Sequence, residues 1–155
     1  MMPSGQLSPA DPAASQDAAA AIEAAIRAAG TPERFPELTA ILDRWAADAD
    51  FWLRRSALLA LLMPLRRGAG DFERCAGYAD QMLDEREFFI RKAIGWVLRE
   101  TGKRQPDLVA DWLAPRVQRA SGVTVREAVK PLPPDQRDKL LAAYRESHPA
   151  GRHPA

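Results

Sequence analysis

Cysteine occurs once in this chain, at Cys75, which excludes an internal disulfide and any multi-cysteine zinc site. Histidine is nearly as scarce. Both residues, His148 and His153, lie in a Pro/Gly-rich tail, so a His-based catalytic centre is not expected, and neither a metal nor a cofactor is. No apolar run approaches the ~20 residues that a membrane helix needs. The opening MMPSGQLSPADPAASQ has neither the basic nor the apolar region of a secretory leader. A cytoplasmic protein with no membrane partner is the expectation. No stretch alternates apolar and polar residues with a period of two, so no β-strand is expected. Lysine is sparse as well: only Lys92, Lys103, Lys130 and Lys139 among 22 basic residues. The resulting arginine excess suits bidentate contacts to phosphate, and it is equally what a GC-rich genome encodes.

What is present fits one globular domain. The chain has 155 residues, 46% hydrophobic and 28% charged, enough to bury one core and not two. Its formal net charge of +1 first argues against a nucleic-acid partner. That figure hides an asymmetry. Residues 1–50 carry three arginines against eight carboxylates, whereas residues 51–130 carry fifteen cations against ten carboxylates. A nearly neutral total is therefore compatible with one electropositive face.

The pattern along the chain is helix after helix. Residues 1–15, rich in Pro, Ser and Ala, are expected to be disordered. Gln16–Ala29 has strong helix propensity and stops at Gly30. Over Pro36–Ala47 the apolar residues Leu38, Ile41, Leu42 and Trp45 recur at steps of three and four, an amphipathic helix. Asp50 is placed as an N-cap for FWLRRSALLALLMPLRR, and Asp71 opens DFERCAGYADQMLD. A strong helix then covers EFFIRKAIGWVLRETGK to Gly102. Pro106 sits in the first turn of PDLVADWLAPRVQRA, Thr124–Leu132 forms a short helix, and Pro134 begins PDQRDKLLAAYRES. The helical domain is expected to span residues 16–147, with a flexible tail over 148–155.

These helices repeat. FWLRRSALL at Phe51 aligns with FFIRKAIGW at Phe88, an offset of 37 that matches Leu53 to Ile90, Arg54 to Arg91 and Arg55 to Lys92. A weaker copy, TVREA, aligns Arg126 with Arg91 at an offset of 35. Self-similarity at this period is the mark of stacked helix pairs. The expected fold is all-α, a short α-solenoid of HEAT-like pairs with about seven or eight helices; a compact helical bundle is the rival.

Helical spacing puts Lys92, Trp96, Arg99 and Lys103 on one face of the strongest helix. Phe89, Ile90, Ala93, Ile94 and Val97 provide a core on the other side. One repeat earlier the equivalent stripe is Arg55, Leu59, Leu62 and Arg66. Two neighbouring basic stripes with an indole between them would track a phosphate backbone and offer a π-face to a base or a cation. The alternatives are packing: a tryptophan at helical spacing is commonly core, and Arg54 and Arg55 could each bond a carboxylate or helix end of the next repeat. Cys75, in mid-helix with no histidine nearby in sequence, reads as a buried thiol.

The run FWLRRSALL, then EFFIRKAIGWVLRETGKRQPDLV, then TVREAVKPL resembles the C-terminal part of the DNA alkylation repair family, over roughly Pro36–Lys130. The resemblance implies HEAT-like repeats and, in active members, an alkylpurine DNA glycosylase that hydrolyses the N-glycosidic bond. It implies that Arg55, in the W-L-x-R string with Trp52 and Leu53, is an active-site arginine. It likewise implies that Trp96 is an active-site tryptophan and that Arg99 contacts a backbone phosphate. Arg66, Lys92 and Lys103 join Arg55 and Arg99 as candidate DNA contacts.

The pattern breaks at the family's catalytic carboxylate, which follows a tryptophan by four residues on an upstream helix. The corresponding QDAAAAIEAAIRAAG has no tryptophan, and Asp17 and Glu23 are its only acids. The expectation is a truncated or divergent member, or a part of a longer protein, that binds duplex DNA through a basic concave face with reduced or absent glycosylase activity. The alternatives are a working glycosylase that releases N3- or N7-alkylated purines using Asp17 or Glu23, and a HEAT-repeat scaffold with a protein partner.

Overall fold

The computed structural model describes residues 35–149. The expected disordered segment 1–15, the helix Gln16–Ala29 and both candidate acids Asp17 and Glu23 lie outside the described residues, as do residues 150–155 of the tail. Every regular element among the described residues is helical. In chain order these are α1 (Phe35–Ala46), α2 (Phe51–Ala60), α3 (Leu62–Arg66), α4 (Phe72–Met82), α5 (Phe88–Gly102), α6 (Pro106–Leu113), a 3₁₀ turn (Ala114–Arg116), α7 (Gly122–Ala128) and α8 (Pro134–Ser147). None of them is long and apolar enough to cross a membrane.

The chain divides after Ile41 into two compact units. Of the first, the described part is the opening of α1. The second runs from Leu42 onward and contains α2 to α8.

Local sequence sets the helix ends of this second unit. Asp50 caps α2 by accepting a bond from the Trp52 amide at 2.8 Å, and Asp71 caps α4 through the Arg74 amide at 2.9 Å. Glu87 and Ser121 do the same for α5 and α7. Each cap satisfies an otherwise orphaned amide. The single helix expected over Phe51–Arg67 is instead two, α2 and α3, broken at Leu61. Pro64 is the cause: it has no amide proton to offer the Ala60 carbonyl, and its ring crowds that carbonyl. Likewise PDLVADWLAPRVQRA is helical only to Leu113 and passes into a 3₁₀ turn at Pro115.

Packing follows the repeat. Helix α5 is central and contacts α2, α3, α6 and α7. The row α2, α5, α7 forms one layer, while α4 lies against α2, and α6 and α8 pack on each other and on α5 and α7 respectively. These are stacked helix pairs, a short helical solenoid. Leu58, Leu65, Met82, Leu83, Ile90, Ile94, Val97, Val109, Leu113 and Val125 fill the core. Polar ties join residues one repeat apart. Arg54 grips Glu85 with two parallel bonds of 2.9 and 2.8 Å. Arg116 donates to Asp80, and the Thr124 hydroxyl to the Arg91 carbonyl.

Helices α5 and α7 approach each other closely. A Cβ at Gly95 would stand 2.8 Å from Glu127 Cβ and 3.2 Å from the Thr124 carbonyl oxygen. Only a residue without a side chain permits this crossing.

Candidate nucleic-acid interface

The solvent side of α5 carries Phe88, Lys92, Trp96, Arg99 and Lys103 at helical steps of three and four. Trp96 is 37% exposed and Phe88 and Lys92 are exposed, while Ile90, Ala93, Ile94 and Val97 are buried. Trp96 therefore faces solvent, and the core closes without it. Phe89, expected in the core, is 42% exposed. At about 100° of rotation per residue, position 89 lies nearer the Lys92 side of the helix than the Ile90 side.

Phe89 belongs to an aromatic cluster across the α2–α5 boundary. Its ring is 5.2 Å from that of Trp52 and 6.5 Å from that of Phe51, centroid to centroid, and Phe88 meets it edge-on at 5.6 Å. Such offset and edge contacts are favourable for π-systems. The cluster is flanked by two cations. The Arg55 guanidinium lies over Trp52 at 5.8 Å and the Lys92 ammonium over Phe88 at 5.7 Å, both within cation–π range. Neither forms an ion pair among the described residues. Sequence reasoning missed Trp52, Phe88 and Phe89 as surface groups, although the 37-residue offset that pairs Phe51 with Phe88 also pairs Trp52 with Phe89 and signalled their meeting.

The doublet Arg54–Arg55 separates into two roles. Arg54 is half-buried and fully engaged: Glu85 takes one edge of its guanidinium, and the carbonyls of Asp48 and Ala49 accept at 2.7 and 2.8 Å. Hydrogen bonding to Glu85 raises its pKa further. The equivalent Arg91 donates to the Glu85 carbonyl at 2.7 Å, so both copies clamp the same inter-repeat segment. Arg126, aligned with Arg91 in sequence, is exposed and has no such bond among the described residues.

The remaining cations of the stripe converge on a carboxylate that the sequence did not single out. Glu100 is buried, its side chain 4% exposed. It accepts from Lys103 Nζ at 2.8 and 2.9 Å and forms ion pairs with Arg66, whose Nε is 3.1 Å away, and with Arg99, whose Nε is 3.5 Å away. Arg99 turns its other edge to Glu127 at 2.7 Å, and Lys130 pairs with Glu127 as well. The Lys103 hydrogen bond, followed by the fields of Lys103, Arg66 and Arg99, holds the Glu100 carboxyl below its ordinary range despite burial. Lys130 and Arg99 do the same for Glu127. Four cations thus surround two carboxylates, and an excess of two positive charges remains at this end of the face.

Away from this face, Arg74 and the Tyr78 hydroxyl both bond Asp43, which ties the end of α1 to α4. Burial and the Asp43 hydrogen bond push the Tyr78 phenol up to about 12. Cys75 is buried, and desolvation raises its thiol to about 12, the signature of an inert packing residue. Among the described residues no group of three or more His, Cys, Asp and Glu is disposed to hold a metal ion.

The model of the DNA alkylation repair enzyme family matches residues 17–132. The chain belongs to the DNA alkylation repair family. The match takes in α1 to α7, including both aromatic–cation pairs and the Glu100 and Glu127 clusters, and stops just before α8. It also begins at Asp17 and so covers Glu23. No individual curated protein matches the chain. Family membership makes DNA the expected partner or substrate.

Proposed function

We propose that this member of the family binds the backbone of duplex DNA through the face formed by Trp52, Arg55, Phe88, Lys92 and Trp96, extended by Arg66, Arg99 and Lys103, and that its alkylpurine glycosylase activity is reduced or absent. The observation that carries the reading is the pairing of exposed aromatic rings with Arg55 and Lys92, two cations that no carboxylate among the described residues neutralises. Phosphates attract such cations, and neutralising them releases counterions. Exposed π-faces offer stacking to a base, or to a purine that carries positive charge after alkylation at N3 or N7. That charge already weakens the glycosidic bond. Hydrolysis then needs a carboxylate to stabilise the oxocarbenium-like sugar and orient the attacking water. The carboxylates among the cations of this face, Glu100 and Glu127, are each held by two or more of those cations, which supports weak catalysis.

The test is duplex binding by fluorescence anisotropy across a salt series. Arg55→Glu with Lys92→Glu should weaken binding at least tenfold at low salt, and the slope of log K against log[salt] should flatten by about one for each phosphate that is no longer neutralised. Salt-independent binding, or binding untouched by the double reversal, overturns the proposal. Incubation with methylated duplex DNA supplies the second arm. Appreciable release of methylpurine, abolished by Trp96→Ala, would establish an active glycosylase and direct attention to Asp17 and Glu23. A tight protein partner with no DNA retained would instead establish a scaffold.

A further inference from the structure

Cations at helix C-termini need no carboxylate to explain them. Arg66 ends α3, Lys103 follows α5 and Lys130 lies two residues beyond α7, where positive charge complements the helix dipole. A buried carboxylate beneath them is a different matter. Glu100 is desolvated in its interior position, and a buried ion-pair cluster replaced as a whole by apolar groups is often neutral or stabilising to a fold, so stability alone does not account for it. Its arrangement orders the surface above it. Arg66 and Lys103 are one repeat apart in sequence, at the same offset of 37 that relates α2 to α5, and both reach the Glu100 carboxylate. Arg99 bridges from Glu100 to Glu127, and Glu127 in turn holds Lys130. The carboxylate is 4% exposed while Arg66 is 56%, Lys103 48% and Lys130 55% exposed. Each of these three cations is therefore anchored on its inner side and open to solvent on its outer side.

We infer that Glu100 and Glu127 are positioning residues that hold Arg66, Arg99, Lys103 and Lys130 as a preformed row for successive phosphates of a nucleic-acid backbone, and that Lys130 of the third repeat belongs to the interface. This rests on the duplex-binding reading above. Long cationic side chains lose rotamer freedom when they bind phosphate; the two carboxylates remove that cost in advance. The arrangement leaves donors for a phosphate. Arg66 pairs with Glu100 through its Nε side, and Arg99 gives one terminal nitrogen to Glu127, so each guanidinium, with five N–H donors, retains some for a phosphate.

Neutralisation and positioning predict opposite signs. If the carboxylates merely neutralise the surface, Glu100→Gln makes the protein one charge more positive, tightens DNA binding and steepens its salt dependence. If they position the cations, the same variant weakens binding although its charge is more favourable. Gln keeps one acceptor oxygen but loses the negative charge that draws in Arg66 and Arg99 and one of the two oxygens that Lys103 bonds, so the hold on all three cations weakens. The experiment measures duplex affinity and salt slope for the wild-type protein, Glu100→Gln, Glu127→Gln and Lys130→Ala, with helicity checked by circular dichroism. The expected result is a roughly three- to tenfold loss for either carboxylate variant. The salt slope should flatten for both, and by about one for Lys130→Ala. Glu127, which is more exposed than Glu100, keeps the test decisive if Glu100→Gln does not fold. Unchanged or tighter binding by the folded carboxylate variants overturns this inference while leaving the DNA reading intact. A wild-type protein without salt-dependent duplex binding overturns both.

Discussion

Arg54 and Arg55 are adjacent in the chain and have opposite roles. Helical geometry turns neighbouring side chains about 100° apart, so one reaches back to the inter-repeat segment while the other lies over an exposed indole. Arg54 makes two bonds to Glu85 and two to backbone carbonyls. Arg54→Gln should cost about 1–3 kcal/mol, because charge-assisted bonds are lost and Glu85 is left partly buried without its partner. Thermal denaturation should show a midpoint lower by about 2–8 °C, with the salt slope of DNA binding unchanged. A flattened slope with no loss of stability would reverse the roles assigned to the pair.

At the scale of elements, the crossing of α5 over α7 fixes where the Glu127 carboxylate lies relative to Arg99. Gly95 permits that crossing, and the Thr124 hydroxyl bonded to the Arg91 carbonyl pins it. Gly95→Ala sets two effects in opposition. Alanine gains up to about 1 kcal/mol of helix propensity, while forcing a methyl against Glu127 Cβ and the Thr124 backbone costs about 1–3 kcal/mol. The backbone side of the contact cannot rotate away, so net destabilisation of about 1–2 kcal/mol is expected in chemical denaturation. A stabilised variant would mean that the two helices separate at little cost. The break between α2 and α3 has the same local logic: Pro64 ends one helix, and the second returns Arg66 to the Glu100 carboxylate.

Over the whole molecule, ion pairs bind the repeats together, and their carboxylates set the response to acid. Glu100, Glu127 and Asp80 are all held below their ordinary values, chiefly by hydrogen bonds from Lys103, Lys130 and Arg116 respectively. A carboxylate whose folded pKa is depressed stabilises the fold fully above its unfolded value and loses that contribution as pH falls through the folded one. The thermal midpoint should therefore hold level from neutral pH to about 5 and decline below about 4.5. A midpoint that stays constant down to about pH 3 would show that these pairs contribute nothing. At high salt the exposed pairs should weaken more than the buried Glu100 cluster.

The sequence by itself determined the helices, because apolar spacing, Asp50 and Asp71 caps and proline breaks act within a few residues. It determined the 37-residue repeat and, through strings such as EFFIRKAIGWVLRE, the family. It also marked Lys92, Trp96, Arg99 and Lys103 as one face, since that requires only helical geometry. Tertiary structure alone decided which of those cations are committed. Glu100 and Glu127 look like ordinary polar residues in a one-dimensional pattern. Their partners Arg66 and Arg99 come from other helices, 34 and 28 residues away in sequence. Tertiary structure likewise put Phe89, expected in the core, at the surface, because whether a residue at the edge of an apolar stripe is buried depends on where the neighbouring helix stops. Secondary structure is governed by local spacing, whereas the charge state and freedom of a surface are governed by what the folded chain brings beside it.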